Sequence, residues 1–253
     1  MSLLEVKNLS KSFGGLAAVS NISLRIEPGE LIGIIGPNGA GKTTFFNLLT
    51  GVYVPDEGDV LLNNHSIIGK KPHVITGMGM ARTFQNIRLF KHMSVIDNIK
   101  VAMNIRRKYG LCSALLRLPR FYKEEERLHT EALSLLATLG LADKHDLLAM
   151  NLPYGEQRKL EIARALACNP TLLFLDEPAA GMNPQETKEL TELICKIKEL
   201  YNITIVLIEH DMGLVMRICE RIFVLEYGKL IASGTPENIK NNKRVIEAYL
   251  GEG

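Results

Sequence analysis

Residues 36–43 read Gly36-Pro37-Asn38-Gly39-Ala40-Gly41-Lys42-Thr43, a match to G-x-x-x-x-G-K-[ST]. The stretch follows an apolar run at 31–35 of the kind that forms a buried strand, and it precedes a helical pattern that opens at Lys42. In that setting the pattern has a physical meaning. Glycines let successive backbone N–H groups turn inward around phosphate oxygens, and the N-terminus of the following helix adds partial positive charge. Lys42 can reach the β- and γ-phosphates of a nucleotide, and the Thr43 hydroxyl can ligate Mg²⁺. Gly36, Pro37, Asn38, Gly39, Ala40, Gly41, Lys42, Thr43 and the adjoining Thr44 are the candidate nucleotide-binding residues. The competing reading, a glycine-rich turn with no ligand, does not account for a strand before it and a helix after it.

Such a loop needs a carboxylate at the end of a neighbouring strand, to hold the metal and orient water. A second buried run at 171–175 leads into Asp176-Glu177. Asp176 is placed to bind the metal, and Glu177, one residue further out, to polarise the water that attacks the γ-phosphate. Away from the glycine loop the same pair would read as a solvated turn or a helix cap. A third run at 203–208 follows a helical stretch whose apolar face is expected to carry Leu190, Leu193, Ile194, Ile197 and Leu200, so 171–208 is a βαβ unit. Its helix has Asn183 as N-cap, Pro184 as first helical residue and Glu186 where a side chain can reach back to the cap N–H. His210, just after the third run and Glu209, falls at the carboxyl edge of the sheet, where ligands of such folds bind, and could hydrogen-bond the γ-phosphate. The remaining histidines, His65, His73, His92, His129 and His145, are read as structural or exposed.

Around this centre, β-type runs at 3–9 and 22–26 open the chain and a Pro28-Gly29 turn precedes the 31–35 run. From 98 to 150 strand signals vanish, and Leu128, Ala132, Leu135, Leu136 and Leu139 recur at helical spacing, which predicts a helical insertion in an α/β core. Runs at 221–226 and 229–233 flank Tyr227-Gly228 as a hairpin, and a short helix is expected at 245–250. The chain has 253 residues, enough for one core with an insertion. Thirty Lys and Arg against 28 Asp and Glu leave a net charge of +2, which excludes a nucleic-acid partner bound through overall charge. Cys112, Cys168, Cys195 and Cys219 form no C-x-x-C pair, so they are expected to be buried thiols in a reducing compartment. The first ten residues carry no basic-then-apolar leader and no apolar run reaches a membrane span, so neither export nor insertion is expected.

Taken together, these residues resemble the ATP-binding subunits of ABC transporters over nearly the whole chain. The resemblance assigns Gln85, in Arg82-Thr83-Phe84-Gln85, to the Mg²⁺-sensing Q-loop, residues 152–157 (Leu-Pro-Tyr-Gly-Glu-Gln) to the signature motif, 180–183 (Ala-Gly-Met-Asn) to the D-loop, and His210 to the switch histidine. Phe13 looks like the aromatic that stacks on adenine. The phrases "RTFQNIRLF", "YGEQRKLEIARAL", "DEPAAGMNPQETKEL" and "LIEHDMGLVM", with the stretch at 104–124, look like one branch, the ATPases of branched-chain amino-acid importers.

The resemblance implies a P-loop NTPase core of the ABC ATPase type, α/β, with an N-terminal antiparallel β subdomain and an inserted α-helical subdomain. Residues 1–85 and 151–253 would form the catalytic core and 86–150 the helical insertion. It implies catalytic roles for Glu177, His210, Lys42 and Gln85, metal contacts from Thr43, Gln85 and Asp176, and ATP with Mg²⁺ as ligands. Two subunits, alike or merely homologous, would sandwich two ATP molecules head to tail, with Gly155 and Glu156 of one facing the nucleotide of the other. The signature departs from the usual L-S-G-G-Q at Pro153 and Tyr154, and the D-loop aspartate is Asn183, so the contact across the dimer is assigned to Gly155 and the helix N-terminus after it. Integral membrane permease subunits would be the partners, with a periplasmic or extracellular solute-binding protein engaged only indirectly, and the location cytoplasmic, peripheral on the inner face of the plasma membrane. The implied function is ATP hydrolysis that powers branched-chain amino-acid import; an ATPase of a lipid or lipopolysaccharide exporter, or a soluble regulatory ATPase of the same type, is the alternative. From 106 to 123 six basic residues and no acidic one alternate with Leu111, Leu115, Leu116, Leu118 and Phe121, either a solvated basic face or a surface for anionic headgroups and permease loops.

Overall fold

The protein is described here by a computed structural model, which covers residues 2–106, 115–116 and 119–250. Its contacts divide it into two compact units. One comprises the described residues up to Arg82 and from Thr171 onward, and the other Thr83–Pro170. The expected restart of the core at 151 therefore falls inside the second unit, because the helix that follows the signature segment packs against the helices of the insertion.

The first unit holds two sheets. Strands β1 (Leu4–Phe13), β2 (Leu16–Ile26), β4 (Glu57–Leu62) and β5 (His65–Ser66) make an antiparallel sheet in the order β2-β1-β4-β5. The second sheet runs β10-β9-β3-β8-β7-β6, from β3 (Leu31–Ile35), β6 (Met80–Arg82), β7 (Leu172–Asp176), β8 (Thr204–Ile208), β9 (Arg221–Glu226) and β10 (Lys229–Gly234). Only β10 is antiparallel to its neighbour. Every residue of β3, β7 and β8 is buried, as expected of parallel strands covered on both faces. The carboxylate strand β7 was expected beside β3, but β8 lies between them: the βαβ crossover returns the chain to the inner side of β7.

Helix α1 (Lys42–Leu49) starts at the lysine of the loop, and its Phe45 and Phe46 enter the core shared with Phe174 and Val206. A short helix, α2 (Pro72–Gly77), precedes β6. In the second unit lie α3 (Val95–Met103), α4 (Pro119–Thr138) and α5 (Tyr154–Ala167), and Leu128, Ala132, Leu135, Leu136 and Leu139 are all buried. Of the basic stretch at 106–123, residues 107–114 and 117–118 lie outside the described residues, whereas Leu115 and Leu116 are exposed and Arg106 pairs with Glu131 at 2.6 Å.

In the first unit α6 (Pro184–Tyr201) begins with the expected capping box, Asn183 and Glu186 exchanging side-chain and backbone hydrogen bonds. Its Leu190, Leu193, Ile194 and Ile197 are buried, but Leu200 is 59% exposed: the helix ends one residue later, at Tyr201, and this last turn has left the core. Helix α7 (Met212–Ile218) follows β8, and α8 (Pro236–Lys240) and α9 (Lys243–Leu250) close the chain. The hairpin turn has Tyr227 at φ +45° and Gly228 at φ +74°, as a two-residue type I′ turn requires. Cys219 is buried, and burial pushes its thiol up to about 12; Cys168 and Cys195 are only partly covered, which corrects the expectation that they are buried, and Cys112 lies outside the described residues.

Candidate active site

Strand register assembles the first part of the site. Ile208 of β8 pairs with Ile34 on one side and with Asp176 on the other, so three parallel strands reach their carboxyl ends at one rung. Gly36 lies two residues beyond that rung on β3, His210 two beyond it on β8, and Glu177 one beyond it on β7. At two positions the loop that leaves β3 is packed too closely for a side chain. A Cβ at Gly36 (φ +153°) would stand 2.1 Å from the Leu225 carbonyl oxygen, and one at Gly41 (φ +93°) 2.3 Å from that of Ala18. The β9–β10 turn braces the loop, with Gly228 N–H donating to the Ala40 carbonyl at 2.9 Å and Ser20 N–H to the Gly228 carbonyl at 2.7 Å.

Lys42 is 6% exposed, and its ammonium donates to the carbonyls of Gly36 (2.6 Å) and Pro37 (2.9 Å), so the cation is folded into the loop itself. No acidic residue stands in the first turn of α1. A close-packed main chain, a buried ammonium and a helix N-terminus without carboxylates form a donor set suited to phosphate. Thr43 and Asp176 add hard oxygen donors of the sort Mg²⁺ takes. Among the described residues there is no group of three or more His, Cys, Asp or Glu that could hold a metal ion.

Glu177 adopts φ +45°, its N–H donates to the Ile208 carbonyl at 2.9 Å, and its Oε1 lies 2.9 Å from His210 Nε2. The two side chains are therefore in contact, which the sequence reading did not anticipate. Phe13, 45% exposed at the end of β1, meets Tyr53 edge to face at 5.4 Å between ring centres. Asn183 spends its side-chain oxygen on the Glu186 N–H, 2.9 Å away.

Two residues of this unit escaped the sequence reading. Arg82 had figured only as the start of the Q-loop phrase, yet its guanidinium donates to Asp176 at 3.2 Å, to Asn47 at 2.9 Å and to Thr50 at 2.7 Å. Glu209, buried, accepts N–H groups from Ala179 at 2.7 Å and His210 at 3.2 Å, and burial raises its carboxyl pKa against those hydrogen bonds. Its signal was an acid directly after the apolar run Ile205–Ile208.

The second unit carries Gln85 and the signature segment. Pro153 is the N-cap of α5, Gly155 is buried in its first turn, and Gln157 Nε2 donates to the Leu152 carbonyl at 2.8 Å. Glu156 forms an ion pair with Lys144 at 2.5 Å, and this hydrogen bond raises the lysine pKa. The backbone of Gln85 is gripped by Arg158, whose Nη2 donates to the Gln85 carbonyl at 2.7 Å. That grip also was missed; its signal was Arg158 and Glu161 three apart on a helix face that they share with the apolar Ile162 and Ala165.

Residues 19–180 match the family described as ABC transporter, and 229–253 match one described as branched-chain amino acid ATP-binding cassette transporter. The chain belongs to the ABC transporter ATP-binding family. It is 50% identical over 250 residues to the high-affinity branched-chain amino acid transport ATP-binding protein LivG of Escherichia coli K12, covering 99% of this chain and 98% of that one. BraF of Pseudomonas aeruginosa, of the same description, is 45% identical over the same spans. An ATP-binding cassette of an ABC transporter solved in its ADP conformation superposes with a TM-score of 0.85 at 32% identity, covering 99% of both chains. The cassette fold expected from the sequence, an α/β core with an antiparallel β part and a helical insertion, is the one observed. Among the described residues of this cassette no helix is long and apolar enough to cross a membrane.

Proposed function

We propose that this cassette is the ATP-hydrolysing subunit of a branched-chain amino-acid importer, seated on the inner face of the plasma membrane against permease subunits and paired with a homologous ATPase. The Glu177–His210 contact of 2.9 Å, at the sheet edge that also carries the glycine loop, is the observation on which the chemistry rests. Near-complete alignment with LivG and the match of the C-terminal segment favour the amino-acid branch over lipid or lipopolysaccharide export.

The work is positioning and electrostatics. Lys42 exchanges the carbonyls of Gly36 and Pro37 for β- and γ-phosphate oxygens, while the amides of residues 38–44 surround the rest of the phosphate tail and Phe13 stacks on the base. Thr43 and Asp176 would hold Mg²⁺ together with the phosphate oxygens, with Gln85 completing its surroundings, and the ion would supply positive charge against the transferred group. Glu177 accepts a proton from water as that water bonds to the γ-phosphorus; the bond from that phosphorus to the bridging oxygen breaks, leaving ADP and inorganic phosphate. His210, with the proton on Nε2, donates to Glu177 and fixes its carboxylate. Gly155 and the start of α5 offer N–H groups to the nucleotide of the partner, which completes charge stabilisation on the side that would otherwise face water. ATP closes the dimer, and hydrolysis lets it separate, which drives the permease.

The test is Glu177→Gln in the assembled transporter. ATP remains bound, an ATP-dependent dimer accumulates in light scattering, and both ATP turnover and leucine uptake into vesicles stop. Wild-type turnover in that variant would remove Glu177 from the reaction, and ATP hydrolysis without amino-acid uptake would reject the transport reading.

A further inference from the structure

Arg158 is the largest fully buried side chain among the described residues, and the reaction described above does not use it. It sits on α5 three residues after Gly155. Its Nη1 donates to Glu161 Oε2 at 2.7 Å and to the Phe84 carbonyl at 2.7 Å, and its Nη2 donates to the Gln85 carbonyl at 2.7 Å and lies 3.4 Å from the Tyr154 hydroxyl. Glu161, 4% exposed, turns its other oxygen to the N–H groups of Phe84 (3.4 Å) and Arg88 (3.2 Å). One ion pair thus takes two carbonyls and two amides from a five-residue stretch of main chain. Arg164, a turn and a half further along α5, donates to the Arg88 carbonyl and stacks its guanidinium 4.8 Å from the Phe90 ring centre.

A buried ion pair is a poor way to gain stability, since two apolar side chains of the same volume usually serve as well or better. What it supplies is geometry. The planar guanidinium fork fixes two acceptors on adjacent residues at once, which neither a lysine nor an apolar side chain can do. The stretch it fixes contains Gln85, and the helix it stands on begins with the signature residues.

We propose that the Arg158–Glu161 pair is a positioning device that fastens the main chain of residues 84–88 to the signature helix, so that Gln85 and Gly155 reach their nucleotides as one body. The proposal rests on the function given above for the roles of Gln85 and Gly155, but the clamp itself is a matter of this unit alone. Gln85 would serve the nucleotide of its own subunit and Gly155 that of the partner. The clamp then makes the two ATP sites of a dimer close in step, and loosening it costs turnover rather than nucleotide binding.

The experiment compares Arg158→Met/Glu161→Leu and Arg158→Lys with wild type in the assembled complex. The double variant removes both charges of the pair together; Arg158→Lys keeps the charge and loses the fork. The expected result is wild-type ATP affinity, a kcat lowered by roughly tenfold or more, as a displacement of about 1 Å in a positioned group produces, and a higher Mg²⁺ concentration for half-maximal rate. Amide hydrogen exchange should accelerate at Phe84 and Arg88 while α3 and α4 keep their protection. Arg158→Lys should fall between, and decides alone if the double variant does not fold. Wild-type kcat and Mg²⁺ dependence, or exchange that rises throughout the unit instead of at 84–88, would overturn the proposal. Wild-type complex without MgATP turnover would instead reject the function, and the exchange arm would still judge the clamp.

Discussion

Arg82, the last residue of β6, donates to Asp176, the last residue of β7, at 3.2 Å across two adjacent parallel strands. The same guanidinium bonds Asn47 and Thr50 at the end of α1 and lies 4.9 Å from the Phe46 ring centre. It therefore ties the carboxylate strand to the helix that begins with Lys42. Both side chains are largely covered, so removing one leaves charge that water screens poorly. Arg82→Met should lower unfolding free energy by about 3–5 kcal/mol, read as a shift of the urea midpoint; an unchanged midpoint would show that the tie does not contribute.

The glycines of the loop differ in what they permit. At Gly39 (φ +75°) a Cβ meets no protein atom within 4 Å, so Gly39→Ala should cost folding only the left-handed backbone penalty of about 1–2 kcal/mol. At Gly41 the added carbon collides with the Ala18 carbonyl, and the loop must move off β2. Urea unfolding should then show a larger loss of stability for Gly41→Ala than for Gly39→Ala; equal losses would contradict the packing difference.

Because Glu177 and His210 touch, their effects on turnover should not add. Glu177→Gln and His210→Ala each lower kcat steeply, and the double variant should be little worse than the more impaired single one, with an interaction energy of about 1–3 kcal/mol. Strict additivity in single-turnover rates would mean that the contact has no part in the reaction.

Glu209 gives a pH prediction. Burial raises its folded-state pKa, so the native protein holds a proton there in a window where the unfolded chain has lost it, and stability falls as pH rises through that window. Glu209→Gln keeps an acceptor for Ala179 and cannot ionise. Urea unfolding of both proteins from acid to neutral pH should show the variant gaining on wild type as pH rises. A difference that stays constant with pH would contradict the assignment.

Features held within a few consecutive residues were legible in advance. The strand, glycine loop and helix at 31–49, the capping box at Asn183 and Glu186, and the Tyr227-Gly228 turn all came out where residue chemistry put them. The strands Glu57–Leu62, His65–Ser66 and Met80–Arg82 did not, since the first opens on Glu-Gly-Asp, the other two have only two and three residues, and all become strands by pairing. Glu177 and His210 were each legible as residues just past a strand end, but their contact was not, since it follows from the Asp176–Ile208 register.

What the sequence determined by itself was the strand, glycine loop and helix at 31–49 and the acid after the strand, because covalent spacing along a strand, loop and helix fixes which amides and side chains can converge. Tertiary structure alone decided that Asp176 is held by Arg82, 94 residues away, and that Gln85 is gripped by Arg158, 73 residues away. A charge can be buried only where a partner waits, and which partner waits is settled by strand order and helix packing, which no local pattern encodes.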